Sequence, residues 1–475
     1  MSVSATKAAP APPPPAAIVH PPGFRRRRGQ NWAFLGLLYT SFYMCRYNLP
    51  LANESISKEL GFTKSDMGAI ITTALLAYAC GQIINGLLAD RLGGKRAMLI
   101  GAVGTNVMNI AFGAASFAGL LGLFIAIRGI DGYLQAFGAP GMVKVNAAWF
   151  YAKERGRFGG IFGFMINAGR FGIFSLGPAL LAGFTFLGIM RIPPLHWRWL
   201  FWTPSVIAAF FAVCVLIFTK DTPGEAGFPE VETDDARKRE LEEHRKGGGA
   251  PAAEVRAPVR EILRTVLKSP AIWLVASAYA CTGAVRQGID QWFPRFMSEV
   301  HHADFHSAEF QFLGFLIPFV ASLGSLVSGY VSDLLFGGKR APVAAGLYFV
   351  ETVIIVLAAQ FHSAQAAVIF LVLISFTANA THSLLGTAAA MDIGGRRMAG
   401  FSSGLIDSFQ YFGGSLAGLV LGKLLDKSWD TYFYFMAPFG IIGGTLMIVW
   451  LRAHHPPEQP PQKPSPEPAQ EPTAD

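Results

Sequence analysis

This chain contains two similar loop sequences, GLLADRLGGKR at residues 86–96 and GYVSDLLFGGKR at residues 329–340. Each copy follows an apolar stretch long enough to cross a lipid bilayer. Its glycines permit a tight turn and a close helix approach, and its aspartate stands at a helix end, where it can pair with the basic residues or cap a neighbouring helix. Any basic membrane loop could supply a single copy, but two copies at equivalent places predict two halves built on one plan.

The composition around the repeat is that of an integral membrane protein. Of 475 residues, 52% are hydrophobic and only 15% are charged, whereas soluble domains carry about a quarter charged residues. This excludes an ordinary soluble enzyme, a disulfide-stapled secreted domain and a coiled coil, and the continuous apolar runs differ from the alternating strands of a β-barrel. The sequence shows no nucleophile–base set and no metal-spaced cluster, so we expect no enzyme activity, no metal and no cofactor.

Twelve apolar spans follow one another along the chain, in two groups of six. They predict an all-α integral membrane fold with two pseudo-symmetric six-helix bundles. Twelve helices of about 20 residues need about 240 residues, which leaves room for loops and two tails. The predicted spans are 30–52, 66–90, 97–117, 119–147, 157–186, 198–219, 270–297, 306–335, 342–360, 365–391, 398–424 and 430–452.

The hydrophilic segments divide the chain into five parts. The N-terminal segment is rich in proline and alanine and ends in four arginines, and the central one holds a mixed charge run and three consecutive glycines. Such compositions indicate disordered tails and a linker. We predict a basic tail at 1–29, an N-terminal bundle at 30–219, a cytoplasmic linker at 220–268, a C-terminal bundle at 269–453 and a second tail at 454–475.

The distribution of charge predicts the orientation in the membrane. The two repeated loops, the arginine-rich N-terminal segment and the central linker are basic and lie on one side, whereas the loops around Glu59, Glu299 and Asp426 are mixed or acidic. The positive-inside rule then places both termini and the linker in the cytoplasm. It also accounts for the net charge of +8 without a nucleic-acid partner. We expect a monomer in the lipid bilayer of a bacterial inner membrane.

Two arginines stand inside equivalent spans, Arg46 in the first and Arg286 in the seventh. An ionisable residue inside a span is costly and is a functional candidate by default. A guanidinium keeps its charge in a low dielectric and offers a planar fork of donors, which suits a tetrahedral oxyanion such as phosphate held from two sides. The alternative is a structural ion pair with Asp290, one helical turn after Arg286. Arg128 and Asp131 are also one turn apart and are expected to form a local pair.

The chain resembles the major facilitator superfamily, and within it the organophosphate:phosphate antiporters, which carry glycerol 3-phosphate, hexose phosphates or phosphoglycerate. The resemblance implies two bundles around a central cavity that opens alternately to each side. It implies that Arg46 and Arg286 bind the substrate phosphate and that Tyr39, Tyr43 and Tyr78 line or gate the site. Beyond the repeated loop, the matching stretches are RYN at 46–48, GFTKSDMG at 61–68, WFYAKERG at 149–156, DTPGEAG at 221–227, RQGIDQW at 286–292 and YFGGS at 411–415.

Some residues depart from the family pattern. Tyr47 follows the first arginine, where the family usually has lysine or arginine, and Gln82 stands where the glycerol-3-phosphate branch has a lysine. Lys144 and Arg170 are candidates for a more basic pocket suited to a doubly charged ligand. The alternatives are a helix-end anchor for Lys144 and a salt bridge for Arg170, with Asp131 as a candidate partner.

The predicted function is the exchange of a phosphorylated organic metabolite for inorganic phosphate by alternating access. Uncompensated cations in an empty cavity oppose reorientation, and a bound anion lowers that barrier. The chain has no Gly-x-x-x-x-Gly-Lys-[Ser/Thr] loop, the motif that would indicate transport driven by nucleotide hydrolysis. Residues of the repeated loops are expected to control the conformational change: Asp90, Arg91, Asp333, Lys339 and Arg340.

Two alternative functions remain open from the sequence. The first is a proton-coupled symporter of another organic anion, in which Asp131, Asp290 and Asp407 would carry protons. The second is a transporter-like membrane sensor of hexose phosphate, which would signal to a partner.

Overall fold

The computed structural model describes residues 20–150, 155–186, 189–229, 231, 267–305, 307–337, 339–389 and 404–454. Most of the predicted linker and of both predicted tails lies outside these residues. Within them the protein is a bundle of long helices, as the sequence predicts.

The first half contains eight helical segments and one short hairpin. The hairpin pairs β1 with β2 antiparallel in the loop between the fifth and sixth spans, with Phe184 opposite Ile192. The elements are α1 (Phe24–Arg46), α2 (Asn48–Leu60), α3 (Lys64–Leu92), α4 (Gly94–Ala115), α5 (Leu121–Gln135), α6 (Gly138–Trp149), α7 (Arg155–Ala182), β1 (Phe184–Phe186), β2 (Met190–Ile192) and α8 (Trp199–Phe218). No pattern in the sequence predicts this hairpin.

The second half repeats the plan of the first. Its tenth span continues from an α-helix into a π-helical turn, and its eleventh is interrupted by a turn at 416–418. The elements are α9 (Pro270–His301), α10 (Ala308–Leu335), α11 (Arg340–Ala358), α12 (Ala364–Ser383), the π-helical turn Leu384–Ala389, α13 (404–415), α14 (Leu419–Leu425) and α15 (Thr431–His454).

Two further predicted continuous spans, besides the eleventh, are interrupted helices in the structure. The first span breaks between α1 and α2 at Tyr47, and the fourth breaks between α5 and α6. Pro50 and Pro140 lie in the first turn after each break. Proline is tolerated there but lacks the N–H that would bond the preceding helix. Each break therefore leaves backbone carbonyls that need another donor.

Eight described helices are long and apolar enough to cross a membrane by length and composition alone. The spans that fall short of this standard are the first, fourth, seventh and eleventh. Each of them is interrupted or carries charged side chains in its interior, such as Arg46, Arg128, Arg286 and Asp407. The polar residues are therefore concentrated in the helices that pack towards the centre, whereas α4 exposes an apolar stripe at Val103, Val107 and Ile110.

Among the described helices, the pairs that pack the two halves against each other include α3 with α14, α7 with α10, and α2 with α9. Glycines bring the backbones of the first pair into direct contact. A Cβ built on Gly68 would lie 2.5 Å from the carbonyl oxygen of Gly418, and one on Gly422 would lie 2.6 Å from that of Lys64. Only glycine allows helices to approach this closely.

Candidate functional site

The break in the first span fixes the position of Arg46. Pro50 cannot donate to the carbonyl of Arg46, four residues earlier, and Nη2 of Arg128 donates to that carbonyl instead, at 2.8 Å. Nη1 of Arg128 also contacts the carbonyl of Cys45 at 3.3 Å. Arg128 thus satisfies backbone acceptors left by the interrupted helix. The arginine at the end of α1 is held by a second arginine in α5.

Asp131 and Gln135 link Arg128 to the guanidinium of Arg46. Arg128 pairs with Asp131 at 2.8 Å, as the sequence predicts. Gln135 donates to Asp131 at 2.9 Å and accepts from Nε of Arg46 at 2.9 Å. Because Asp131 is neutralised by Arg128, it orients Gln135 without cancelling the charge of Arg46.

Aromatic rings enclose the rest of the Arg46 guanidinium. Its central carbon lies 4.1 Å from the ring centre of Tyr78 and 4.7 Å from that of Tyr43. Nη1 donates to the hydroxyl of Tyr411 in the second half, at 3.2 Å. Tyr39 is buried and its ring packs on the ring of Tyr43, so it stabilises the position of Tyr43 beside Arg46. Desolvated cation–π contacts are worth about 2 kcal/mol each, and they hold the cation without an acid.

One donor of Arg46 is left without a partner. Nη2 is buried and has no hydrogen-bond acceptor among the residues that the structure describes. A buried unsatisfied charged donor is costly, and such groups are rare in folded proteins. This donor is therefore available for an acceptor brought in by a ligand.

Arg286 stands opposite, on α9 of the second half. It is 4% exposed, and its Nε lies 3.8 Å from Oδ2 of Asp290, which is a loose ion pair. Tyr43 and Tyr411 interact electrostatically with both Arg286 and Arg46, so the two arginines share neighbours at the interface of the halves. Arg46 and Arg286 therefore border the same pair of tyrosines between the two halves.

Asp290 is held mainly by the other half. Oδ1 forms an ion pair with Nη2 of Arg170 on α7, and Oδ2 accepts from the hydroxyl of Tyr47 at 3.1 Å. The suggested pairing of Arg170 with Asp131 is wrong, because Asp131 is already occupied by Arg128 in its own helix. Arg170 is fully buried, and its Nε has no partner among the described residues.

A small cavity lies beside Arg46, between the halves. Its walls include Tyr78, Arg128, Gln135 and Tyr411, and its volume is about 30 Å³. That volume accommodates one or two water molecules. An organic molecule of several heavy atoms does not fit this cavity in the form that the structure describes.

Lys144 lies apart from the arginine cluster. Its ammonium bonds the carboxylate of Asp90 at 2.9 Å and the carbonyl of the same residue at 2.8 Å. Lys144 thereby ties α6 to the first repeated loop, in the manner of the helix-end anchor considered above. The structure does not bring it together with Arg46 and Arg286.

The repeated loops form ion pairs within each half. Arg340 pairs with Asp333 at 3.0 Å, as Lys144 pairs with Asp90. Arg91 and Lys339 are exposed. We call the end of the molecule that carries both repeated loops the basic end, and the end that carries Glu59, Glu299 and Asp426 the acidic end.

Polar contacts join the two halves at the acidic end. Both oxygens of Asp426 accept from the first backbone N–H groups of α3, at Lys64 (2.8 Å) and Ser65 (3.0 Å). Lys64 also pairs with Glu299 at 2.9 Å. Thr72 donates to the carbonyl of Ser415. An aspartate of one half thus caps a helix of the other.

Sequence reasoning missed several residues of the site. Gln135 and Gln82 carry no charge and were not singled out as contacts, yet each bridges two site residues. The supporting role of Arg128 was also missed. The signal for it was Pro50, which leaves the carbonyl of Arg46 without its helical donor.

Comparisons with known proteins agree with this architecture. The sequence profile of the Major Facilitator Superfamily matches residues 35–418. The chain is 28% identical to the "Membrane sensor protein UhpC" of Escherichia coli (strain K12), over 88% of the chain and 91% of that protein. It is 26% identical to a "Probable hexose phosphate transport protein" of Chlamydia trachomatis, over 90% of both, and 26% identical to the "Glycerol-3-phosphate transporter" of Bacillus subtilis, over 86% of the chain and 89% of that protein.

A solved structure shares the fold. It is that of a bacterial homologue of the human lysosomal transporter Spinster, described as inward-facing and unoccupied. The TM-score is 0.67 over 90% of this chain and 97% of that one, at 16% sequence identity. At this identity the likeness concerns the arrangement of helices alone.

Proposed function

The chain belongs to the major facilitator superfamily, and on that premise we propose that it exchanges a phosphorylated organic metabolite for inorganic phosphate. Its relatives are transporters and a membrane sensor rather than enzymes, and the protein is an integral, multi-pass membrane protein. The substrate class of the proposal is glycerol 3-phosphate, a hexose phosphate or phosphoglycerate, with inorganic phosphate as the counter-substrate.

The observation that carries the proposal is the pair of buried arginines at the interface of the halves. Arg46 comes from the first half and Arg286 from the second, and both side chains are buried. Neither guanidinium is fully neutralised by the described residues, since Arg46 has aromatic and amide partners and Arg286 has one loose carboxylate. A phosphoryl group placed between them would receive charge-assisted hydrogen bonds from both halves.

The positive charge of the site explains why such a carrier exchanges one anion for another rather than transporting one anion alone. Separating the halves around an empty site leaves desolvated cations in a low dielectric, which is unfavourable. A bound anion neutralises them and contacts both bundles, so the loaded protein passes more easily between its two open forms. The carrier then moves one anion inward only when it carries another outward.

Conservative replacement of either arginine tests the site. Arg46→Lys and Arg286→Lys keep the charge but lose the planar fork of donors, and we expect both to abolish phosphate counterflow in proteoliposomes. The matched control is Arg452→Lys, which makes the same change at an exposed helix end and should retain wild-type exchange. Undiminished counterflow in either site variant would contradict the assignment, provided that the purified variant shows the wild-type unfolding temperature.

A sensor is the second candidate, since the Escherichia coli relative is named as one. A sensor of the same ligands would bind a phosphate ester with these residues but would not exchange it. Binding of glucose 6-phosphate or glycerol 3-phosphate to the purified wild-type protein, with no counterflow of either compound or of phosphate, would favour the sensor over the carrier.

The orientation and the membrane complete the proposal. We place the basic end in the cytoplasm of a bacterial cell, with both termini inside, because the repeated loops carry the positive charge. The carrier is proposed to work as a monomer, since the arginine cluster is built from the two halves of one chain.

A further inference from the structure

Three carboxylates of the central spans border the arginine cluster, and they differ in their partners. Asp131 pairs with Arg128, and Asp290 pairs with Arg170. Asp407 has no ion-pair partner among the described residues, and its hydrogen bond comes from Nε2 of Gln82, at 3.0 Å. It is therefore the carboxylate of this group that no arginine holds.

Two sets of contacts link Asp407 to Arg46, one through Tyr411 and one through Gln82 and Tyr78. Asp407 lies one turn before Tyr411 on α13, and Tyr411 accepts from Arg46. Gln82, which donates to Asp407 from the other half, also donates to the hydroxyl of Tyr78 at 2.9 Å. The ring of Tyr78 stacks on Arg46. Asp407 is thus part of the shell around the proposed phosphate site.

The charged and titratable groups that face Asp407 come from four helices. Arg46 on α1 and Arg286 on α9 are the cations whose charge acts on it. The phenols that interact with it are Tyr78 on α3, Tyr279 on α9 and Tyr411 on its own helix. Glu351, another buried carboxylate, faces Thr377 inside the second bundle and does not belong to this shell.

We propose that Asp407 binds a proton together with a doubly charged phosphate, so that the carrier moves the dianion and one proton as a unit. The inference rests on the proposed function and deepens it. The proton comes from the solution on the side where the substrate enters, resides on the Asp407 carboxylate, and leaves with the substrate on the other side. No bond of the substrate forms or breaks.

The charge of the cluster gives the reason. Three arginines, Arg46, Arg170 and Arg286, stand against Asp290 and Asp407, which leaves one net positive charge when both carboxylates are ionised. A singly charged phosphate neutralises this cluster, but a dianion leaves one negative charge in excess. Protonation of Asp407 removes that excess, and the neutral loaded site is the one that can cross between open forms. An anion near the arginines also cancels the charge that keeps Asp407 ionised.

Proton uptake on ligand binding is the direct test. Inorganic phosphate is titrated into the purified full-length protein at pH 8 by calorimetry, in buffers with different heats of ionisation, which yields protons taken up per phosphate bound. We expect about one proton in the wild type and a loss of most of that uptake in Asp407→Asn. Asp407→Glu, which restores a carboxyl, should regain it. Asp430→Asn, the same change in the exposed acidic-end loop, should match the wild type.

Affinity provides a second readout. Asp407→Asn mimics the protonated residue, so phosphate should bind it about tenfold more tightly than the wild type at pH 8, and the dependence of affinity on pH should be reduced. The same proton uptake in Asp407→Asn as in the wild type would overturn the inference, because the proton would then reside on the phosphate or elsewhere. Failure of the wild type to bind any phosphate compound would contradict the proposed function instead.

Discussion

The two ends of the molecule hold their halves in different ways. At the acidic end, Asp426, Glu299 and Thr72 bond across the interface between the halves. At the basic end, the ion pairs of the repeated loops, Asp90 with Lys144 and Asp333 with Arg340, each stay within one half. The structure therefore shows a form closed at the acidic end.

The sequence repeat marks the end whose loop ion pairs stay within one half. Conformational control was predicted from the sequence for that end alone. The closed end carries no repeat. Its contacts use the first turn of α3, glycine backbones and one loop aspartate, and these groups can exchange their partners for water when the halves separate.

The largest expected effect comes from filling the glycine contact. Gly68→Ala places a methyl group 2.5 Å from the Gly418 carbonyl oxygen, whereas Gly86→Ala on the same helix meets nothing within 4 Å. Overpacking costs about 1–3 kcal/mol. We expect Gly68→Ala to destabilise the closed acidic end by that amount and to reduce phosphate counterflow in proteoliposomes by about five- to hundredfold.

Gly86→Ala is the matched control and should retain exchange within about twofold of the wild type. Equal rates for the two variants would show that the close approach of α3 and α14 is not needed for transport, and the comparison between the two ends would lose its main support.

An intermediate effect is expected from Asp426→Ala, which removes the cap that one half provides for α3 of the other. Thr63 remains as the N-cap of α3, and each hydrogen bond that Asp426 adds to the first turn contributes about 0.5–1.5 kcal/mol. The first turn of α3 should open more often, so amide hydrogen exchange at residues 64–68 should accelerate. Asp430→Ala, in the same loop, removes a carboxylate that accepts from the hydroxyl of Ser428. Exchange that is as slow in Asp426→Ala as in this control would argue against a cap between halves.

The smallest effects are expected at the basic end. Lys144→Gln and Arg340→Gln each break an ion pair whose aspartate is more than 60% exposed, 66% for Asp90 and 62% for Asp333. Exposed pairs contribute about 0–1 kcal/mol. Each variant should unfold thermally within a few degrees of the wild type. A large loss of stability in one variant alone would show that the two halves are not equivalent at this end.

Much of the fold follows from the sequence. Hydropathy places the spans, the repeated loop places their division into halves, and Arg46 and Arg286 stand out because charge is rare inside a span. The interruptions at Tyr47 and before Pro140 could have been found from the prolines. The β1–β2 hairpin and the turn at 416–418 could not, because short irregular elements have no periodic signal.

The site was only partly predictable. The family pattern indicated that the arginines and tyrosines belong together, and the structure places Tyr43 and Tyr78 on Arg46. Lys144 and Arg170 were ambiguous from sequence, since a buried cation and a helix-end anchor look alike in a hydropathy pattern. In the structure the two environments differ. Arg170 is fully buried against Asp290, whereas Lys144 pairs with the exposed Asp90 of the first repeated loop.

Features that depend on neighbours along the chain can be read from the residues alone: the apolar length of each span, the charge of each loop and the local pair of Arg128 with Asp131. Which distant groups meet depends on how the helices pack. Arg170 bonds Asp290 across 120 residues, and Asp426 caps α3 across 362. Ion pairs and hydrogen bonds act over a few ångströms of space, so the choice of partner waits until the helices have packed.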